Sequence, residues 1–168
     1  TITFGPDYVA GTIVQSTPFT IQADDVYNDG ETYEITVAST TGGNFENLVT
    51  TDKATVTVTD TKDTTTLTLN DVTVSEGGTA TIGLSLSSDT KVALVVTLDA
   101  KDVNGNNIEV TIPAGTSAGT IITSPAFVIN NTEDVYTDNS KFTVSVVSTN
   151  NDSNVVNNFE NLVTTDTA

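Results

Sequence analysis

The sequence of 168 residues contains no histidine, cysteine, tryptophan or arginine. Without cysteine and histidine it can form no disulfide, no thiol nucleophile and no zinc site of the usual Cys/His kind. A Ser-His-Asp triad is excluded for the same reason. Positive charge is also scarce, since five lysines stand against 22 acidic residues and the net charge is −17. The commonest nucleophilic and zinc-dependent chemistries are therefore excluded.

This charge also narrows the range of partners. Affinity for nucleic acid depends on cationic side chains that neutralise phosphates, so we expect no nucleic-acid partner. An anionic membrane surface would repel the chain. No apolar run approaches the roughly 18 residues of a membrane span, so we expect no membrane insertion. No signal peptide is visible, and the chain begins in mid-pattern without Met, so we expect a piece of a larger protein.

The residues that are present favour β-structure. Apolar residues alternate with Thr and Ser at period two in Ala54–Asp60, Thr79–Leu86 and Phe142–Val147. Such alternation places one face of a strand in a core and the other in water. Clusters of Gly, Asn and Asp separate these stretches, and no helical period exceeds one turn. The sequence predicts an all-β fold, an immunoglobulin-like Greek-key β-sandwich.

An internal repeat is the strongest feature of the sequence. The nonapeptide NFENLVTTD at 44–52 recurs at 158–166, an offset of 114. The tripeptide DVY at 25–27 recurs at 134–136, and GTI at 11–13 recurs at 119–121. Identities in the same order indicate tandem modules of about 108–114 residues. The growing offset places an insertion near residues 150–156 of the second copy.

The chain begins out of phase with these modules. Residues 1–62 are predicted to hold strands D to G of one repeat, and residues 63–168 a second repeat that lacks its last strand. The missing strands would come from a longer tandem array or, by homotypic strand exchange, from a neighbouring chain. The predicted strands D to G of the first copy are 2–4, 11–21, 31–39 and 54–60. Strands A to F of the second are 67–74, 79–86, 92–98, 108–112, 119–129 and 141–148.

Many carboxylates are predicted to meet at one pole. In a Greek-key sandwich the A–B and E–F loops share a pole with the end of strand G. Acidic oxygens from separate segments could bind a hard dication, for which calcium is the natural candidate. The alternative is that these are solvated turn residues that keep the protein soluble. The acidic residues concerned are Asp24, Asp25, Asp29, Asp60 and Asp63 in the first copy, and Glu76, Glu133, Asp134 and Asp138 in the second.

The repeated aromatic residues are predicted to be mainly structural. In both copies the Phe and Leu of NFENLV are expected to close the bottom of the core, with a partner-contact loop as the alternative. The tyrosine of DVY is expected to pack at the E–F corner. A phenylalanine on each strand E is expected in the core. The residues are Phe45, Leu48, Phe159 and Leu162 for the first role, Tyr27 and Tyr136 for the second, and Phe19 and Phe127 for the third.

The segments Val74–Gly78, Asp25–Tyr27 and Ala54–Asp63 resemble Calx-β-like modules. With NFENLVTTD added, essentially the whole chain resembles the tandem immunoglobulin-like extender repeats of giant bacterial RTX adhesins. This resemblance implies a bacterial cell-surface, extracellular location, type I secretion, and a spacer role in biofilm adhesion. It also implies calcium at the linkers between modules. The matching ligand positions are Asp24, Asp25, Asp60 and Asp63 in the first copy, and Glu76, Glu133 and Asp134 in the second, each set incomplete because of the truncation.

We therefore expect a structural extender module, stiffened by calcium and packed against neighbouring repeats of the same chain, that projects a ligand-binding region. A strand-exchanging filament subunit and a glycan- or protein-binding module remain the alternatives. We expect no enzymatic activity. Adjacent acids such as Asp24 and Asp25 share one loop and do not face each other across a cleft as glycosidase carboxylates do.

Overall fold

The molecule consists of short β-strands joined by turns. A computed structural model describes residues 1–129 and 140–168, and every regular element in these residues is a strand. The predicted all-β class is confirmed. None of the described residues forms a helix that could cross a membrane. The strands are β1 Thr32–Thr36, β2 Lys53–Thr57, β3 Thr64–Asn70, β4 Thr79–Ala80, β5 Gly83–Leu86, β6 Leu94–Lys101, β7 Asn107–Ile112, β8 Ile122–Thr123, β9 Phe127–Val128, β10 Val146–Thr149 and β11 Asn161–Val163.

These strands form several small sheets. One has the order β10-β6-β7 and another the order β11-β3-β5-β8, while β4 pairs with β9 and β1 pairs with β2. All these pairings are antiparallel except that of β11 with β3, which is parallel. The arrangement is consistent with a β-sandwich. The immunoglobulin-like Greek-key connection remains a prediction.

The core is built by the period-two alternation. Strand β6 buries Leu94, Val96 and Leu98 on one face, and β7 buries Ile108, Val110 and Ile112 in the same way. Each fully buried aliphatic side chain contributes about 1.5–3 kcal/mol of transfer free energy. Nearly all the buried apolar residues belong to the second segment, residues 63–168. Phe127 lies in this core, as predicted.

The open edge expected beside strand F is partly paired within the chain. Val144 and Ala168 exchange two backbone hydrogen bonds of 2.7 and 3.1 Å, and Ser145 lies opposite Thr167. The last residues of the chain therefore supply some of the pairing that the predicted absence of a last strand would have left open. Less of this edge is therefore uncovered than the sequence predicted.

The first segment forms only a two-stranded hairpin, β1 with β2. The strands predicted at 2–4 and 11–21 are not formed, so that part of the prediction is wrong. In the second segment their counterparts pair with β6, β5 and β4, and residues 1–62 contain no equivalents of those partners. Phe19 is consequently 57% exposed, which overturns its predicted place in a core.

Candidate functional site: the junction between the two repeat segments

A short backbone pairing joins the two segments. Tyr27 lies opposite Phe159 in an isolated antiparallel bridge. The Asn28 N–H donates to the Asn158 carbonyl at 2.9 Å, and the Glu160 N–H donates to the Val26 carbonyl at 3.1 Å. The DVY motif of the first copy is thus in direct contact with the NFE of the second. We call residues 26–28 and 158–160 together the junction.

Two aromatic rings form the apolar centre of the junction. The Tyr27 and Phe159 rings stack with centroids 5.6 Å apart and planes inclined by 25°. Only 8% of Tyr27 and 4% of Phe159 is exposed. The Tyr27 hydroxyl donates to the Asp89 carbonyl at 2.5 Å. Burial, followed by the charge of Asp89, raises the pKa of Tyr27 above its usual value.

These positions confirm some of the aromatic predictions and correct others. Tyr27 is a packing tyrosine, but it packs on the second segment and not within its own module. Phe159 is buried and Leu162 is partly buried against the core, as predicted. Phe45 is 69% exposed and Leu48 49% exposed, so their predicted role in closing a core is wrong. Residues 44–52 form no strand themselves, and the only strands within residues 1–62 are those of the β1–β2 hairpin.

A lysine binds the acidic loop of the first segment to the second. Lys91 Nζ lies 3.0 Å from Asp25 Oδ2 and 3.4 Å from Asp29 Oδ2. The same ammonium lies 4.0 Å from the centroid of the Tyr27 ring, a cation–π contact. Burial lowers the pKa of Lys91, but hydrogen bonds and charges from Asp25 and Asp29 outweigh it and raise that pKa overall. Our sequence prediction missed Lys91, although it is one of only five cations.

The remaining acids of the first copy lie in the same region. Asp60 Oδ2 accepts hydrogen bonds from the N–H groups of Asp29 and Gly30, at 2.9 and 2.8 Å. Asp24 Oδ2 accepts one from the Thr61 hydroxyl at 2.5 Å. The loop around residues 24–30 is therefore hydrogen-bonded to Asp60 and Thr61, at the start of the linker (residues 61–64) between the two segments. Asp24, Asp25 and Asp60 each make their own contact in this region, with Thr61, Lys91 and the N–H groups of Asp29 and Gly30 respectively.

A buried glutamate lies where the linker enters the second segment. Glu160 is 8% exposed, and its Oε2 accepts a hydrogen bond from the Asp63 N–H at 2.7 Å. Its Oε1 is buried and has no hydrogen-bond partner in the described residues. Glu160 lines a small open cleft together with Asn28, Asp60, Lys62 and Ser153. Our sequence prediction missed this residue, although its place in the repeated motif singled it out.

Comparison with known protein families identifies the family of the chain. The model of the LapA domain matches residues 2–61 and 63–168, nearly the entire chain. The chain belongs to the LapA domain family. LapA is a large adhesin-related protein of bacteria, so the family indicates an adhesin-related role at the cell surface. No curated protein and no solved structure matches the chain significantly.

The donor chemistry of this LapA-domain junction suits a hard cation. In the described residues no group of three or more acidic side chains is placed to hold a metal ion. However, Asp60 and the buried Glu160 line one cleft, and the Glu160 Oε1 there has no hydrogen-bond partner. Calcium takes six to eight oxygen ligands, which carbonyls, amides and water can complete. The residues present therefore fit calcium chemically, while Lys62 and Lys91 already offset part of the negative charge.

The second predicted acidic set cannot be located in the same way. Glu76 lies at a turn in which the Gly78 N–H donates to the Ser75 carbonyl at 3.1 Å. The other two members, Glu133 and Asp134, lie outside the described residues, as do Tyr136 and Asp138. The calcium assignment of this second set stays a prediction from the sequence.

Proposed function

We propose that the chain is a non-catalytic spacer of a bacterial cell-surface adhesin, built from tandem β-sandwich modules whose junctions are stiffened by calcium. In the resemblance drawn from the sequence, such a spacer projects a ligand-binding region away from the cell and contributes to biofilm formation. Membership of the LapA domain family over nearly the full chain supports the adhesin part of this proposal.

The contact between two repeats is the observation that carries the spacer role. Val26, Tyr27 and Asn28 of one repeat are held by backbone bonds and ring stacking on Phe159 and its neighbours in the next. A spacer keeps its end-to-end length only if successive modules hold a fixed orientation relative to each other. A direct packed contact beside the linker provides that constraint more effectively than a flexible tether, whose end-to-end distance grows only as about the square root of its length.

Calcium would act on the acidic side of this junction. The residues that would hold it are Asp24, Asp25, Asp60 and Asp63, to which we add Glu160 because its buried Oε1 has no hydrogen-bond partner in the described residues. The ion would offset carboxylate repulsion and join the loop before the hairpin to the linker after it. Because binding occurs only when these segments are assembled, the binding free energy would add to the stability of the folded state.

Thermal melts test this proposal. We expect the chain to melt higher in millimolar Ca²⁺ than in EGTA, and Mg²⁺ to give a smaller rise because it prefers a compact octahedral shell. Asp60→Asn and Glu160→Gln should each reduce the calcium-dependent rise. Asp102→Asn is the matched control, since Asp102 lies in the β6–β7 turn and accepts hydrogen bonds from Asn104 and Asn106. Equal melting temperatures in Ca²⁺ and in EGTA would show that calcium does not stabilise the junction.

A strand-exchanging filament subunit is the second candidate. The first segment leaves large apolar side chains in water, and its β1–β2 hairpin forms a sheet on its own. Strands from another copy could cover that face and complete the module. Exchange predicts stable dimers or longer species in light scattering, whereas the spacer predicts a monomer. The side chains concerned include Phe4, Ile13 and Phe19, which are 60%, 86% and 57% exposed.

A further inference from the structure

The nonapeptide NFENLVTTD occurs twice with identical sequence but in two different environments. At 44–52 every residue is exposed and none belongs to a strand, whereas at 158–166 only Thr165 is exposed. Phe45 of the first copy is 69% exposed, and Phe159 of the second is 4% exposed. Because the two sequences are identical, the difference comes from what lies beside each copy and not from local propensity.

The second copy is covered by the linker and by strand β3. The Glu160 Oε2 accepts a hydrogen bond from the Asp63 N–H at 2.7 Å, and the Asp166 Oδ2 accepts one from the Leu69 N–H at 2.9 Å. Between these two bonds, β11 pairs with β3 in parallel. All these contacts join residues 97 positions apart in the sequence, so the two segments lie side by side in a single register.

The first copy cannot take β3 of its own chain as the same kind of partner. Strand β3 is already paired with the second copy. Parallel strands also need a crossover of about a dozen residues or more. Only residues 53–62 lie between Asp52 and Asp63, and five of them form β2, which pairs with β1. A partner for the first copy therefore has to come from another repeat.

We infer that Glu46–Asp52 is a docking edge for an extended segment with the sequence of Asp63–Leu69, supplied by another repeat. The segment would lie parallel to the edge, with the equivalent of Thr64 opposite Asn47, as Thr64 itself lies opposite Asn161. In such strand addition the backbone hydrogen bonds give affinity and alternate side chains give specificity. The inference rests on the tandem array of the proposed spacer but not on calcium.

Docking would cover apolar side chains that are now in water. Leu48 is 49% exposed and Val49 71% exposed, whereas Leu162, the counterpart of Leu48, is partly buried against the core. A free segment is expected to bind weakly, because it lacks the effective concentration that a covalent connection provides. The contact should therefore be captured by trapping more readily than by isolation of a stable complex.

Disulfide trapping of a synthetic peptide suits this chain, which has no cysteine of its own. Two peptides of residues 62–70, one with Thr64→Cys and one with Thr65→Cys, have identical compositions and differ only in the position of the thiol. Each is mixed with the full chain carrying Asn47→Cys under mild oxidation. A chain carrying Asn104→Cys, in the β6–β7 turn, gives the reference rate of each peptide.

A double variant of the chain provides the positive control. The Asn161 Nδ2 donates to the Thr64 Oγ1 at 2.9 Å, so these two side chains already touch. Thr64→Cys/Asn161→Cys should therefore close a disulfide within one chain under the same conditions. Its closure would show that residues opposite each other in this parallel register can be joined.

Relative to the reference rates, we expect the Thr64→Cys peptide to react about fivefold faster than the Thr65→Cys peptide, because successive side chains of a strand point to opposite faces. Leu48→Asp in the Asn47→Cys chain should remove this preference, and Leu48 is exposed, so its replacement does not threaten folding. Equal relative rates for the two peptides, or a preference that Leu48→Asp leaves unchanged, would overturn the inference. Because trapping is measured without calcium, its failure is distinct from the failure of a calcium-stiffened spacer.

Discussion

Tyr27 and Phe159 belong to different repeats and stack on each other with ring centroids 5.6 Å apart. Both belong to motifs that the sequence repeats, and backbone hydrogen bonds flank the pair on either side. A ring pair of this geometry contributes about 0.5–1.5 kcal/mol beyond the area that it buries. The relative placement of the two segments thus depends on a small number of named contacts, which can be removed singly.

Removal of the Tyr27 side chain should weaken the fold. Tyr27→Ala should lower the free energy of unfolding by about 3 kcal/mol, because burial and stacking against Phe159 are both lost. Phe19→Ala, at a 57% exposed aromatic residue, should change it little. Urea unfolding followed by circular dichroism measures both. Equal effects of the two substitutions would mean that the junction does not contribute to stability.

Removal of the Lys91 charge should have a smaller effect that depends on salt. Lys91→Met keeps an apolar stem but loses the ion pairs with Asp25 and Asp29 and the cation over Tyr27, at a cost of about 1 kcal/mol at low ionic strength. Added NaCl should shrink the difference from the parent chain by screening. Lys53→Met is the control, since the Lys53–Glu34 pair lies on the exposed hairpin. Thermal melts of Lys91→Met and the parent chain at two salt concentrations test this prediction. If the difference in melting temperature does not change with salt, the effect of Lys91 comes from packing and not from its charge.

Alkaline pH should loosen the junction. The pKa values of Tyr27 and Lys91 are both raised in the folded state, so folding holds these protons more tightly. Their contribution is present below about pH 10 and is lost as pH rises through the raised values. Tyr27→Phe removes the tyrosine part, so the parent chain should lose more stability than this variant between pH 9 and about 11.5. Parallel pH profiles of the two proteins would contradict this assignment.

The Tyr27 hydroxyl should make a modest contribution of its own to the free energy of unfolding at neutral pH. Tyr27→Phe leaves the ring stack intact and deletes only the hydrogen bond to the Asp89 carbonyl, so we expect a loss of about 1 kcal/mol. Tyr33→Phe, whose hydroxyl donates to the exposed Glu31, is the matched control and should be near neutral. Urea midpoints at pH 7 measure both. A loss as large as that of Tyr27→Ala would show that the hydroxyl dominates the stack.

Strands whose neighbouring strand in the sheet lies in the same segment were predictable from the sequence. Period-two alternation predicted strands at 54–60 and 79–86, where the structure has β2 in the first range and β4 and β5 in the second. Alternation reports only that one face is apolar; it does not report whether a neighbouring strand exists. Residues 11–21 have a repeat counterpart but no pairing partner in residues 1–62, so no strand forms and Phe19 stays exposed.

The junction was only partly predictable for a related reason. The repeat singled out DVY and NFENLV, and the loop pattern gathered Asp24, Asp25 and Asp60. Contact between the two motifs depends on how one module is placed on the next, which no local pattern encodes. Lys91 and Glu160 were missed because a single charged residue within a long acidic sequence gives no periodic signal.

Small-angle scattering of this chain in Ca²⁺ and in EGTA tests most directly the claim that calcium stiffens the junction of a spacer. The account predicts a longer maximum dimension and a narrower distribution of distances in Ca²⁺, with the effect reduced in Asp60→Asn and retained in Asp102→Asn. Identical scattering in Ca²⁺ and EGTA from a monomeric sample would contradict it, and the acids of the junction would then be solvated groups balanced by Lys62 and Lys91.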